Sequence, residues 1–197
     1  MAGGPPFELE PRKLAAQDAD LLANFDSGGE WWCEEVTTHL REYALPQQTA
    51  GYNETTLFSL PGEDRITGFT TVSPNSLKLP QVQAAFPEFG AAPGIETIHV
   101  PVWIVVYFGV HRDDQRRTYG EEMHTWVLEH MEESLGAPRF IYLQCWEENA
   151  GGVHFWTQLG YQEFNRTTPP KPGGDGPATL LWLMYDRFHI APVEGPA

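Results

Sequence analysis

The chain has 197 residues, and 12 Lys and Arg against 27 Asp and Glu leave a formal net charge of −15. A field of that sign repels nucleic acid and acidic membranes and favours cationic or amine partners, with screening over about 8–10 Å leaving room for a local basic patch. No apolar run approaches the ~20 residues that cross a bilayer, the first residues lack signal-peptide character, and Cys33 and Cys145 make no disulfide framework, so one domain over residues 1–197 in the cytoplasm is expected.

In chain order, residues 7–10 form a short strand candidate and residues 14–25, apolar at 14, 15, 19, 21, 22 and 25, a first helix. Asp26, Ser27, Gly28 and Gly29 break it. Ser27 is the expected cap of a second helix over residues 30–43, which Pro46 ends. Residues 55–60 and 65–73 read as strands around the turn 61–64. Residues 74–97, with Pro74, Pro80, Pro87 and Pro93, read as an irregular insert with room for a helical turn. Residues 102–110 carry no charge and a β-branched majority, as a buried strand does. Tyr119, Met123, Trp126, Val127, His130, Met131 and Leu135 then share one helical face. A strand over 140–146, a helix over 147–159 closed by Gly160, and strands over 161–166 and 179–186 complete the chain. The Pro/Gly-rich loop 169–177 between those last strands is long enough to reach over a substrate site.

The junction at residues 110–120 is the most informative stretch. A strand that enters a helix through a tight loop aims the helix's free N–H groups at whatever lies above it. Those donors, the helix dipole and Arg112, Arg116 and Arg117 favour a phosphate-bearing ligand. The competing reading pairs the arginines with Asp113, Asp114, Glu121 and Glu122 on a solvated surface.

Gln115, Arg116, Arg117, Thr118, Tyr119 and Gly120 resemble the Gln/Arg-x-x-Gly-x-Gly/Ala loop of the GNAT superfamily of acyl-CoA-dependent N-acyltransferases. Thr118 stands where the first glycine is usual; a β-branched residue resists positive φ, so the match requires Thr118 to keep φ negative. A second segment, Asn149, Gly152, Phe155, Trp156 and Leu159-Gly160-Tyr161, resembles the family's Asn-x-x-Ala-x-x-Phe-Tyr and Leu-Gly-Phe pattern, in the family's order and separation. The resemblance implies an α/β fold with a central mixed, mostly antiparallel sheet of six to seven strands flanked by about four helices. It implies acetyl-CoA or coenzyme A as co-substrate, with no metal. The 115–120 loop would hold the pyrophosphate, the main chain of Phe108, Gly109 and Val110 would pair with pantetheine, and Asn149, Gly152 and Phe155 would complete the cofactor site. Gly109 is read either as permitting a bulge or close approach, or as a simple strand glycine.

Acetylation of an amine requires removal of the ammonium proton, donors for the oxyanion and a proton or hydrogen bond for the thiolate. The family often places Tyr after the Phe of its second segment; here that position is Trp156, whose indole donates a hydrogen bond but does not release a proton at workable pH. Water, another residue, or weak or absent transfer are the consequences, and a core aromatic is the other reading. No base is marked: Ile104 stands where some relatives carry Glu, and Tyr107, His111, His99, Glu96 and His124 are candidates beside a water chain. Tyr107 and His111 are preferred.

Other chemistries find no pattern. There is no phosphate loop of the Gly-x-x-x-x-Gly-Lys type and no Gly-x-Ser-x-Gly elbow, and His124 and His130 project to different helix faces, so no zinc pair forms. The expected activity is acetyl transfer from acetyl-CoA to a primary amine of a small molecule or a protein, with no nucleic acid or membrane partner and with a homodimer admitted. The front half offers an alternative. Phe25, Asp26, Ser27 and Gly28, the helix with Trp32 and Leu40, and Gly68, Phe69, Thr70, Val72 and Ser73 resemble the GNAT toxins that acetylate aminoacyl-tRNA, although the acidic balance and the dispersed remaining basic residues disfavour that substrate. A non-catalytic acyl-CoA-binding module is the third reading.

Overall fold

The structure, a computed structural model, describes residues 8–87, 89, 98–135, 138–173 and 176–188. The strands are β1 (Glu10–Lys13), β2 (Glu54–Ser59), β3 (Gly68–Lys78), β4 (His99–Val110), β5 (Phe140–Trp146), β6 (Gln162–Thr167) and β7 (Leu180–Asp186). The helices are α1 (Ala19–Ala23), α2 (Trp31–Thr38), α3 (Ala44–Thr49), α4 (Leu79–Ala85), α5 (Tyr119–Leu135) and α6 (Ala150–Gln158). The strands form a seven-stranded mixed sheet in the order β1-β2-β3-β4-β5-β7-β6.

The chain divides into two compact units, Met1–Ser73 with Val105–Ala137 and Pro74–Ile104 with Pro138–Ala197. The first is built on β1, β2, the start of β3 and the end of β4. Its core gathers Phe25, Leu40, Leu57, Ile66 and Phe69, with Phe25 set edge-on to Phe69 at a centroid distance of 5.3 Å. A second cluster seats Tyr119 and Met123 of α5 against Leu9 and Phe58. In the second unit β5 pairs antiparallel with β7 from Phe140↔Asp186 to Trp146↔Leu180, over a core of Val82, Phe86, Val102, Phe140 and Met184.

Several elements differ from the sequence expectation, each for a local reason. The first strand is Glu10–Lys13, beyond the expected 7–10 (Phe7 lies outside the described residues), because the backbone of this polar segment pairs with β2, Glu10 opposite Ser59 and Lys13 opposite Thr56. The expected helix over 14–25 is a 3-10 turn (Ala16–Asp18) followed by α1. Ser27 does not cap α2. Glu30 occupies that position without a side-chain bond, and the Ser27 hydroxyl instead donates to the Cys33 carbonyl at 2.7 Å. Pro46 does not end the helix either. A π turn over His39–Tyr43 carries the chain from α2 into α3, and Pro46 falls in the first turn of α3, where a missing N–H costs least. The start of the expected insert over 74–97 is regular: β3 runs on through Pro74 to Lys78, and Pro80 lies in the first turn of α4, a favoured position for proline.

Candidate functional site

The loop between β4 and α5 is fixed from several sides within the first unit. The His111 N–H bonds the Thr67 carbonyl and the Arg112 N–H bonds the Asp26 carbonyl, both at 2.8 Å. A 3-10 turn over Arg112–Asp114 follows, with the His111 Nδ1 accepting from the Asp113 N–H at 3.3 Å. The Gln115 amide then donates to the Ser27 carbonyl at 2.7 Å and to the Val110 carbonyl at 3.2 Å. Gln115 is therefore the brace that holds this loop against the 26–28 segment.

The turn itself is made at Arg116. Its φ is +66°, the only left-handed value among the described non-glycine residues, and such a conformation costs an L-residue about 1–2 kcal/mol. Thr118 keeps its φ out of that region, as the loop resemblance requires. The Thr118 carbonyl accepts the Glu122 N–H at 3.0 Å and so begins α5, leaving the first-turn N–H groups at the loop.

The arginines part company here. Arg112 pairs with Asp26 at 3.0 Å. Arg117 lies 3.7 Å from the buried Asp114 carboxylate, which Arg65 binds more closely at 2.5 Å, and the Arg117 guanidinium reaches the Tyr119 hydroxyl at 3.4 Å. Arg116 has no ion-pair partner among the described residues. Glu121 and Glu122 pair with none of the three; the Glu122 carboxylate accepts the Leu9 N–H.

At the end of β4, Gly109 is a close-approach glycine. A Cβ there would lie 2.7 Å from Val36 Cγ1 and 2.8 Å from Phe69 Cε1. Phe108 and Val110 pack on the Phe58–Tyr119 cluster. Tyr107 stacks on His39 with centroids 3.7 Å apart and planes at 12°, a pairing invisible at 68 residues' separation. Burial, then the Glu35 carboxylate hydrogen-bonded to its phenol, push the Tyr107 pKa up to about 12. Tyr107 is thus a standing donor and a poor base. His111 is buried, spends Nδ1 on its backbone contact and meets Phe25 edge-on at 5.8 Å.

In the second unit, the Asn149 carboxamide oxygen accepts the Gly152 N–H at 2.9 Å and caps α6. A Cβ on residue 152 would come within 2.5 Å of the Asn149 side chain. The pair is thereby explained as a cap and the space it needs. Gly160, at φ +90°, ends the helix. Trp156 is buried, with Phe155 at 4.8 Å and Tyr161 at 5.2 Å, both near edge-on. Burial pushes the Tyr161 phenol far above its ordinary range and the Cys145 thiol up to about 12, so neither supplies a proton near neutrality. With that packing, Trp156→Tyr should cost about 1–3 kcal/mol in urea unfolding without raising turnover. A faster variant with unchanged CoA affinity would instead make this position the missing acid.

Among the described residues no group of three metal-ligating side chains occurs, and no helix is long and apolar enough to cross a membrane.

A seven-stranded sheet with a basic, left-handed turn between β4 and a long helix is consistent with the GNAT fold, and the sequence agrees: the GNAT acetyltransferase family profile matches residues 25–161. The chain belongs to that family. No curated protein matches it in sequence. Among solved structures it resembles a bacterial toxin, at 16% identity and a TM-score of 0.62 over 89% of this chain and 90% of that one. It also resembles AtaT complexed with acetyl-methionyl-tRNAfMet, at 16% identity and a TM-score of 0.61 over 88% and 93%. A putative GNAT acetyltransferase from Desulfovibrio desulfuricans is similar at 13% identity, with a TM-score of 0.58 over 90% and 98%. These likenesses are of fold.

Proposed function

We propose that the protein transfers an acetyl group from acetyl-CoA to a primary amine of a small molecule or protein. The observation that carries this reading is Arg116: a charged residue without an ion-pair partner among the described residues, in a costly left-handed turn at the start of α5. Strain of that kind persists where the surrounding structure over-determines it, as at ligand clamps. The main chain of residues 116–120 and the Arg116 guanidinium suit a pyrophosphate, and the Phe108–Val110 backbone suits the pantetheine amides.

In the reaction the amine attacks the thioester carbonyl, the carbon–sulfur bond breaks and the pair of electrons leaves on the CoA thiolate. The amine must lose its proton first. Tyr107, with its raised pKa, does not take it, and His111 has one ring nitrogen engaged, so a water molecule is the base this reading adopts. Water is also the proton source for the thiolate, since Trp156 cannot release a proton.

A charge of −15 favours a cationic acceptor. A second reading, acetylation of aminoacyl-tRNA, is favoured by the likeness in fold to AtaT in its complex with acetyl-methionyl-tRNAfMet. A thiol-release assay with acetyl-CoA against aliphatic diamines, protein amines and aminoacyl-tRNA decides between them. Turnover with cationic amines is expected. Turnover confined to aminoacyl-tRNA would establish the second reading, and none with any acceptor would remove the catalytic one.

A further inference from the structure

Two arginines of the first unit share one buried carboxylate, and the sharing leaves one of them with donors to spare. Asp114 Oδ2 accepts from Arg65 Nη1 at 2.5 Å, while its Oδ1 faces Arg117 Nη1 at 3.7 Å. A buried carboxylate needs a close cation, and Arg65, from the connection before β3, is that cation. Arg117 is therefore oriented by Asp114 without being consumed by it. The same Nη1 reaches the Tyr119 hydroxyl at 3.4 Å, and the guanidinium carbon stands 5.7 Å from the centre of the Tyr119 ring. Tyr119 is buried, and its hydroxyl donates in turn to Glu8 at 3.2 Å. Both polar contacts of Arg117 use Nη1. Its Nε and Nη2 bond nothing among the described residues, and the side chain is 55% exposed.

A guanidinium carries five N–H donors in a fixed fork that matches the oxygens of a phosphate. The carboxylates around this pair are Asp114, which offsets one of the two guanidinium charges, Glu63 at 3.5 Å from Arg65, and Glu8 behind Tyr119. Glu63 and Glu8 are exposed, so solvent screens them. Asp113 is exposed as well and stands beside His111 and Arg112. Coenzyme A presents two kinds of anion to such a loop. One is the pyrophosphate, which the main chain of residues 116–120 and Arg116 suit. The other is the phosphate monoester on its ribose, the more highly charged group, with about −1.5 to −2 near neutrality. We infer that Arg117, oriented by Asp114 and Tyr119, binds this phosphate monoester and so distinguishes coenzyme A from dephospho-coenzyme A, which lacks only that group. The inference rests on the cofactor reading above and adds to it a second anion and the residue that selects for it.

The test is calorimetric titration of the full-length protein with CoA and with dephospho-CoA, beside phosphorus NMR of the CoA monoester. Arg117→Gln removes the charge and the fork. Arg166→Gln, at an exposed arginine of the second unit that pairs with Glu163, is the control of equal charge. Wild type and Arg166→Gln are expected to bind CoA about tenfold more tightly than dephospho-CoA, or better. Arg117→Gln should bind the two nucleotides equally, with the wild-type affinity for dephospho-CoA. The monoester phosphorus signal should move on binding to wild type and keep its free position with Arg117→Gln. Equal affinity of wild type for the two nucleotides overturns the inference and leaves the cofactor reading standing, and so does a preference for CoA that survives in Arg117→Gln. The wild-type ratio needs no variant, so it decides even where Arg117→Gln fails to fold. Binding of neither nucleotide to wild type ends the cofactor reading and the inference with it.

Discussion

Lowering the pH from 7.5 to 4.5 should remove roughly 5 kcal/mol of folding stability, nearly all of it through two histidines. His39 and His124 are buried, and burial lowers the pKa of each to about 4. The unfolded chain holds both near 6.5, so as pH falls it binds protons that the folded chain refuses. Their contribution is complete above pH 6.5, declines as the pH drops toward 4, and levels off below. Each is worth about 2.5 kcal/mol over this range. Around His39 stand Phe69, Tyr107 and the Thr71 hydroxyl, and Glu35 lies one turn before it on the same helical face. Glu54 adds a smaller loss at lower pH, since a hydrogen bond from Lys13, then one from His130, holds its carboxyl below the usual range. Urea unfolding at pH 7.5, 6.0 and 4.5 measures the slope, and His39→Gln should halve it. Stability constant down to pH 5 would mean that both rings accept protons in the fold.

Arg65→Met should destabilise the first unit by about 2–4 kcal/mol, because it strips the close cation from a buried carboxylate. Asp114 is 2% exposed, and its other cation, Arg117, is 3.7 Å away. The loss falls short of that for a fully enclosed pair, since the Arg65 side chain is 35% exposed. Asp114 closes the 3-10 turn that leads into the Gln115–Gly120 loop, so the variant should also bind CoA more weakly. Arg65→Met combined with Asp114→Asn should recover most of the stability, because no buried charge is then left alone. A single variant as stable as wild type would show that Arg117 or solvent already compensates Asp114.

The segments from residue 102 onward were legible because their signals are local. An uncharged β-branched run marks β4, and the 3.6-residue recurrence from Tyr119 marks α5. Gly160 marks the end of α6, although the helix begins at Ala150 behind its Asn149 cap and not at the expected residue 147, and the expected strand 140–146 is β5 to the residue. The front half was harder to read because its structure is set by partners. The strand Glu10–Lys13 has no apolar alternation, and its place comes from backbone pairing with β2. Prolines misled twice: Pro46 and Pro80 both sit in first turns, where proline is tolerated. At the candidate site, residue type and spacing located the 115–120 loop, and Thr118 marked a departure from the usual pattern. The left-handed bend lies two residues earlier, at Arg116, and nothing in the residue type announces it. The stacking of His39 on Tyr107 joins the π turn to β4, a long-range contact that no periodicity encodes.

Titration of CoA into the protein, followed by calorimetry and by thermal unfolding, tests the central claim most directly. At ~100 Kd the ligand should add about 2.7 kcal/mol to folding stability. Arg116→Glu should abolish most of the binding while altering stability little, because the side chain is exposed and has no ion-pair partner among the described residues. Arg112→Glu, at a residue already paired with Asp26, should weaken binding less. Undiminished CoA binding by Arg116→Glu, or no heat and no shift for wild type at millimolar CoA, would contradict the assignment of this loop as the pyrophosphate site.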